Sequence, residues 1–183
     1  MADKVEIREV EPGDIAILVR NMRDHDKQEV NAATNMGIRN AVETSVELSS
    51  YSKTGLVNGE LVCMWGVCPI SLISGSGSPW MLGTNLIKDK QRIFLRRSKP
   101  WLEDIRKDYR YLENFVDARN TLSIKWLKRL GIEMDEATAI AANSNMKRVA
   151  DHGFGESLLE SSIIVGDGTI GDLQQKFAML HLD

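Results

Sequence analysis

Basic side chains concentrate in one segment of this sequence and are its clearest candidates for binding chemistry. Between residues 88 and 110, Lys and Arg outnumber Asp and Glu, although the whole chain has a formal net charge of -3. Arg96, Arg97 and Lys99 precede Pro100, a residue tolerated in the first turn of a helix. The pattern therefore predicts a helix that begins here and attracts a phosphate or carboxylate. The alternative interpretation is a solvated basic helix end.

Side chains for proton transfer are scattered. Carboxylates that could act as a general base occur nearby at Glu103, Asp104, Glu113 and Asp117, but their spacing makes no catalytic pair. We keep Asp117 as a candidate base. The three histidines have no metal-ligand spacing, and Gly75-Ser76-Gly77 lies in a predicted loop rather than in a nucleophile elbow. The sequence thus supplies no confident catalytic residue and no metal site.

Cys63 and Cys68 lie in an apolar, strand-like run. Their odd spacing puts them on opposite faces of a strand, because successive side chains alternate. We predict two buried thiols rather than a disulfide or a metal pair.

Composition favours an ordinary globular protein. The 183 residues are 43% hydrophobic and 27% charged, and no apolar run approaches the roughly 18 residues of a membrane-spanning helix. The N-terminus lacks the pattern of a signal peptide, so we expect a soluble protein that is not secreted. The negative total makes nucleic acid an improbable partner.

Hydrophobic periodicity predicts strands and helices in alternation along the first half of the chain. Alternating residues at 5–10 predict a strand, and Asn58-Gly59 between apolar runs predicts a hairpin. The expected order is a strand (5–10), three helices (15–22, 25–33 and 38–48) and the two hairpin strands (53–57 and 61–68).

The second half of the sequence predicts further strands and helices. We expect a Ser/Gly loop, a short strand, two helices joined at residues 98–100, a strand and a helix with an Asn cap and a Gly stop. These elements fall at 74–79, 80–84, 87–112, 114–118 and 120–132. Beyond them the pattern weakens, and we predict a strand, a helical turn or two, a second strand and a C-terminal helix that docks on a neighbouring subunit or particle component. Those four fall at 133–140, 143–151, 158–165 and 170–180.

The helix at 120–132 resembles the last conserved block of the GNAT (Gcn5-related) N-acetyltransferases. The resemblance rests on Asn120, Ser123, Trp126, Leu130, Gly131 and Ile132. It implies an α/β (α+β) fold with a mixed central sheet of about six to seven strands flanked by helices. Residues 1–140 would form the GNAT-like domain, and residues 141–183 a C-terminal extension that completes the sheet.

The same resemblance implies where acetyl-CoA would bind. GNAT proteins hold the pyrophosphate with Arg/Gln-x-x-Gly-x-Gly/Ala, and the corresponding segment here, Arg96 to Trp101, lacks both glycines. The candidate cofactor-binding residues are Arg96, Arg97, Ser98, Lys99 and Asn120. The Tyr that commonly serves as the acid falls on Leu127, which has no proton to donate. The chain therefore binds no cofactor, or acetyl-CoA if it is active.

Residues 80–135 look more narrowly like the GNAT-like internal virion or morphogenesis proteins of short-tailed bacteriophages. This resemblance implies a structural or morphogenesis protein with weak or no acetyltransferase activity, in the virion or the host cytoplasm. Its partners would be other phage virion or assembly proteins, or further copies of the chain. The alternative is an active acetyl-CoA-dependent N-acetyltransferase that acts on an amine of a small molecule or protein.

Overall fold

A seven-stranded mixed sheet forms the centre of the residues described by the computed structural model, which are 3–117, 121–134 and 146–152. The strands are β1 (Val5–Glu9), β2 (Tyr51–Val57), β3 (Glu60–Ser71), β4 (Ser76–Gly83), β5 (Tyr111–Asp117), β6 (Glu133–Met134) and β7 (Met146–His152). Their order across the sheet is β1-β2-β3-β4-β5-β7-β6. The helices are α1 (Asp14–Asn21), α2 (Asp24–Ala33), α3 (Ile38–Leu48), α4 (Gln91–Asp108) and α5 (Thr121–Arg129). The predicted α/β class is confirmed.

Helices cover both faces of the sheet, and β3 lies between them. Met64 packs with residues of α1 and α3, whereas its neighbour Trp65 packs with Trp101 of α4. Because neighbouring residues of a strand point to opposite faces, α4 lies across the sheet from α1 and α3. This burial on two sides accounts for the continuous apolar run in β3.

The first strand, the three helices and the hairpin all form where the sequence predicts them. In the hairpin turn, Asn58 and Gly59 have φ angles of 55° and 84°, as a type I′ turn requires. At the start of α1, the Asp14 carboxylate accepts hydrogen bonds from Nη1 and Nη2 of Arg8, the Glu11 main-chain N–H and the Thr54 hydroxyl. The turn chemistry and the charge network thus specify this half locally.

The predicted loop at 74–79 is wrong, because β4 already begins at Ser76. A Cβ on Gly77 would lie only 2.6 Å from Tyr109 Cδ1 and 2.8 Å from Val67 Cγ1. The glycine therefore lets β4 pass beneath the Tyr109 ring. A residue type that usually indicates a loop here allows close packing.

The predicted break at residues 98–100 is also wrong, because α4 runs from Gln91 to Asp108 with Pro100 inside it. Ser98, Leu102 and Ile105 are all buried and share one face of the helix at spacings of four and three residues. Burying this face outweighs the hydrogen bond that Pro100 cannot donate.

The C-terminal elements agree with the predictions only in part. β5 and α5 form as expected, and β6 is Glu133–Met134, while the rest of the strand predicted at 133–140 lies outside the described residues. The helical turn predicted at 143–151 is wrong, because β7 pairs with β5 along the whole of Met146–His152. The predicted strand at 158–165 and helix at 170–180 lie outside the described residues. Among the described helices, none has the length and apolar character needed to span a membrane.

Candidate functional site

Two neighbouring parallel strands separate to leave an opening in the sheet. β4 and β5 pair only at Ser76 with Tyr111 and at Gly77 with Leu112. Beyond these pairs, the Asn114 side-chain amide donates to the Pro79 carbonyl across the opening. We call this opening the β4–β5 gap. Main-chain groups that leave a ladder need other partners, so the gap is where a ligand could enter the sheet.

A cavity of about 140 Å³ lies at the β4–β5 gap. Its walls come from both strands and from α4 and α5, and most of the side chains are apolar. The lining residues include Trp65, Trp80, Trp101, Leu127, Glu29 and Ser98.

Aromatic rings form much of the cavity wall. Trp65 and Trp101 stack with ring centroids 4.0 Å apart and an interplanar angle of 19°. Trp80 donates from Nε1 to the Ser49 hydroxyl at 2.8 Å. The Trp65 indole N–H, in contrast, is buried and has no hydrogen-bond partner among the described residues.

Glu29 of α2 is the carboxylate that borders the cavity, and sequence reasoning missed it. It is half-buried and already has an interaction partner in the chain. A carboxylate at this place could accept a proton from an amine. Its sequence neighbours contain no motif, because only the packing of α2 brings it to the gap.

The wide end of the gap is closed on the β4 side by a buried ion pair. Arg23 and Asp26, which are 4% and 1% exposed, are joined by two hydrogen bonds of 2.5 and 3.0 Å. The Thr84 N–H bonds to Val62 of β3, so the Gly83 main-chain groups point away from β3. The Gly83 N–H donates instead to Asp26 Oδ2 at 2.7 Å, and the Gly83 carbonyl accepts from the main-chain N–H of Arg23 at 3.0 Å. The end of β4 is therefore occupied by the chain itself.

The connection from β4 to α4 offers no glycine loop. It contains a short 3₁₀ helix, Asn85–Lys88, whose Ile87 side chain is buried, and α4 begins at Gln91. No glycine lies between Thr84 and Gln91. Backbone N–H groups that cradle a phosphate usually need glycine for close approach.

The predicted cofactor-binding residues of α4 do not stand at a helix start. Arg96, Arg97 and Lys99 are exposed in the middle of α4, whereas Ser98 is buried. Ser98 borders the cavity and the three cations lie on the solvent side. The N–H groups of a helix interior bond to carbonyls four residues earlier. The helix start predicted at these residues is therefore wrong, whereas their role in anion binding stays a prediction.

The other predicted site residues are placed only in part. Asp117 is the last residue of β5 and pairs with Met146 of β7, and Asn120 lies outside the described residues. Leu127 borders the cavity, so the position that would carry the acid Tyr in the resemblance does face the gap.

The two thiols and His25 supply no further chemistry in the part of the chain that the structure describes. Both cysteines are free and buried, as predicted. Burial raises the pKa of Cys63 to about 12 and also raises the pKa of Cys68, so both stay protonated at neutral pH. His25 is exposed. In the described part of the chain, no three His, Cys, Asp or Glu residues are grouped as metal ligands.

Comparisons with solved structures identify the architecture. An acetyltransferase of the GNAT family from Streptococcus pneumoniae superimposes with a TM-score of 0.55 at 14% identity, covering 81% of this chain and 98% of that one. A putative acetyltransferase from Salmonella typhimurium with acetyl-CoA gives 0.58 at 11% identity, covering 86% and 98%. Spermidine N-acetyltransferase from Vibrio cholerae, in complex with CoA and spermine, gives 0.52 at 11%, covering 80% and 94%.

These similarities show that the chain has the GNAT fold, as the resemblance in its sequence implies. Sequence identity this low carries the fold alone. By sequence, no protein-family model and no curated protein matches the chain.

Proposed function

We propose that this GNAT-fold chain is a bacteriophage structural or morphogenesis protein with weak or no acetyltransferase activity. The observation that carries the proposal is the size of the cavity at the β4–β5 gap, about 140 Å³. Sites for drug-sized ligands and cofactors measure roughly 300–1,000 Å³. A coenzyme with a nucleotide and a long arm would have to displace the side chains that line this gap.

The groups that surround the gap support the same conclusion. The β4–α4 connection has no glycine, and Arg96, Arg97 and Lys99 lie beyond the first turn of α4. At the end of β4, Asp26 and Arg23 already bond to the main-chain groups of Gly83. A coenzyme arm that entered as an additional strand would lack these partners.

Among the described residues, the position that would carry the acid Tyr supplies no proton for a departing thiolate. Leu127 has no proton to give, and the buried indole of Trp65 is a very weak acid. Cys63 stays protonated at neutral pH, which removes the nucleophile for an acyl-enzyme route. Slow transfer from a weakly bound acyl donor is the most that we expect.

The particle role rests on the likeness of residues 80–135 to the phage proteins, and surface features support it. Leu72 and Ile73, at the β3–β4 turn, are 89% and 102% exposed. Adjacent exposed aliphatic side chains at a hairpin tip are suited to a protein contact. The partners we propose are other virion or assembly proteins or further copies of the chain, in the virion or the host cytoplasm.

Three measurements test this proposal. Calorimetric titration of the full chain with acetyl-CoA should give no saturable heat at micromolar concentration, and acetyl transfer to a panel of amines should stay at the uncatalysed rate. Mass spectrometry should detect the chain in purified phage particles or in their assembly intermediates. Micromolar acetyl-CoA binding followed by turnover would contradict the proposal.

The second candidate is an active N-acetyltransferase, and Glu29 is the observation that favours it. This carboxylate borders a cavity at separated parallel strands and could take the proton of an amine. Arg97 and Lys99 would then hold the pyrophosphate as exposed cations. Reversing both charges with Arg97→Glu and Lys99→Glu should abolish coenzyme binding. Glu29→Gln should slow acetyl transfer without weakening coenzyme binding. Unchanged coenzyme affinity in the charge-reversed variant would count against this candidate.

A further inference from the structure

We propose that the cavity at the β4–β5 gap binds a small, uncharged apolar molecule of about the size of benzene. The inference concerns the same gap as the proposed function and rests on it in one respect, namely that acyl-CoA does not occupy the gap. Its evidence is the volume of the cavity, the nature of its walls and the state of the polar groups around it.

Volume selects the size of the ligand. The cavity measures about 140 Å³ and is partly open to solvent; for scale, an enclosed apolar cavity of roughly 150 Å³ engineered into another protein binds benzene. Interiors are otherwise packed to the density of organic crystals, with few voids larger than a water molecule. A void of this size is therefore large enough for one ring or one short branched chain and too small for a coenzyme.

The walls select an apolar ligand. Leu102, Ile105, Leu112, Leu127, Leu130 and Ile132 supply aliphatic surface, and the tryptophans supply aromatic surface. A water molecule needs two to four polar partners to occupy such a space. An apolar lining of this kind favours binding of an apolar ligand, because binding removes the apolar surface of the ligand from water.

The polar groups that border the cavity disfavour a charged ligand. Glu29, Ser98, Asn114 and Ser123 border it, and each already interacts with another group in the chain. Among the described residues, no Lys or Arg lines the cavity, so an anion would meet no counter-charge from them and would face the Glu29 carboxylate. Trp65 Nε1 is the buried side-chain polar atom that lacks a partner in the described residues. The ligand accordingly needs no more than one hydrogen-bond acceptor.

Benzene is the probe for the test, and the tryptophans are the reporters. In ¹H–¹⁵N spectra of the full chain, the indole N–H signals of Trp65, Trp80 and Trp101 should shift saturably as benzene is added. The thermal midpoint should rise with benzene concentration, because a ligand that binds only the native state stabilises it. An absence of saturable shifts in the unsubstituted protein would overturn the inference.

Substitutions on α5 make the test specific for the cavity. Leu127→Phe should fill it and weaken benzene binding by at least about tenfold, or roughly 1.4 kcal/mol. The matched control, Lys125→Phe, adds the same ring at an exposed position of the same helix and should bind benzene normally. Equal benzene affinity in the two variants would overturn the inference.

An enlarged cavity supplies the second variant in case Leu127→Phe does not fold. Leu127→Ala should admit naphthalene, which the unsubstituted cavity excludes, and failure to admit it would contradict the assignment. Acetyl-CoA titration of the unsubstituted chain separates the two proposals. Tight coenzyme binding refutes the proposed function, whereas loss of benzene binding without coenzyme binding refutes only this inference.

Discussion

The sheet is built in two contrasting ways on either side of β4. From β1 to β4 the strands are antiparallel and paired along their lengths, and β2 and β3 meet at a tight turn. Between β4 and β5 only two residue pairs remain, and a cavity occupies the space that a continued ladder would close. The first region is stabilised by turn chemistry and main-chain pairing. The second depends on side chains from helices distant in sequence, and this dependence suits it to binding.

The largest expected effect comes from the ion pair where the two regions meet. Asp26→Ala would leave Arg23 buried without its carboxylate and Gly83 without an acceptor. The cost should be about 3–5 kcal/mol in the free energy of unfolding, measured by urea denaturation. The paired substitution Arg23→Met with Asp26→Leu should recover the part of this cost that comes from the unpaired Arg23 charge, but not the part that comes from the Gly83 N–H, which still has no acceptor.

An exposed ion pair on the same helix provides the control. Asp24 faces solvent at 89% side-chain exposure and lies 3.6 Å from Lys27, so Asp24→Ala should change stability by less than about 1 kcal/mol. Equal losses for Asp24→Ala and Asp26→Ala would show that burial of the pair does not support the end of β4.

The second prediction concerns the point where β4 and β5 still pair. Gly77→Ala would place a Cβ 2.6 Å from the Tyr109 ring, and such overpacking costs about 1–3 kcal/mol. The thermal midpoint should fall, and adding Tyr109→Ala should restore part of the loss by removing the obstructing ring. Ser78→Ala, the next residue of β4, should have little effect. A neutral Gly77→Ala would mean that the strands are not closely packed there.

The third prediction concerns Pro100, the proline inside α4 beside the gap. Pro100→Ala restores an N–H in the interior of α4 and should stabilise the protein by about 1 kcal/mol, since interior proline is unfavourable. Chemical denaturation measures the change, and Lys99→Ala on the exposed side of the same turn is the matched control. A loss of stability from Pro100→Ala would show that Pro100 is needed where it stands.

The smallest expected effect is a pH dependence in the well-paired region. Burial by itself would raise the pKa of Asp14, but hydrogen bonds from Arg8, the Glu11 N–H and Thr54 lower it below its usual value. Because the native state holds the proton less tightly than the unfolded state, this stabilisation is present above about pH 4 and is lost as the pH falls further.

Thermal midpoints of the unsubstituted protein and of Asp14→Asn, measured from pH 7 to pH 3, check this sign. The unsubstituted protein should be the more stable at pH 7, and the difference should narrow below about pH 4. A difference that widens on acidification would contradict the network described for Asp14.

Local chemistry explains which elements could be predicted from sequence. Asn58-Gly59 has the residues of a type I′ turn, and the alternation in β1 and the apolar stripes of α1 and α3 need no distant information. Ser76 and Gly77 were assigned to a loop, because composition alone does not reveal that Tyr109 lies above them. Pro100 likewise predicts a helix break that does not occur. The helix continues because burial of the face with Ser98, Leu102 and Ile105 outweighs the hydrogen bond that Pro100 cannot donate.

The candidate site divides similarly. The sequence pointed to Leu127 and Ser98, both of which border the cavity, although it assigned them other surroundings. It could not point to Glu29, or to Arg23 and Asp26, because their roles depend on the position of α1 and α2 beside the end of β4. The cofactor roles of Arg96, Arg97, Lys99 and Asn120 remain predictions.

By itself the sequence determined most of the order of strands and helices, the buried thiols and the lack of glycine between Thr84 and Gln91, because these follow from residue type and periodicity. Only the tertiary structure decided that β4 and β5 separate after two pairs, that the chain's own ion pair closes one end and that a cavity of about 140 Å³ remains. The physical reason is that voids and closed edges arise from contacts between segments far apart in the chain, which local patterns do not encode.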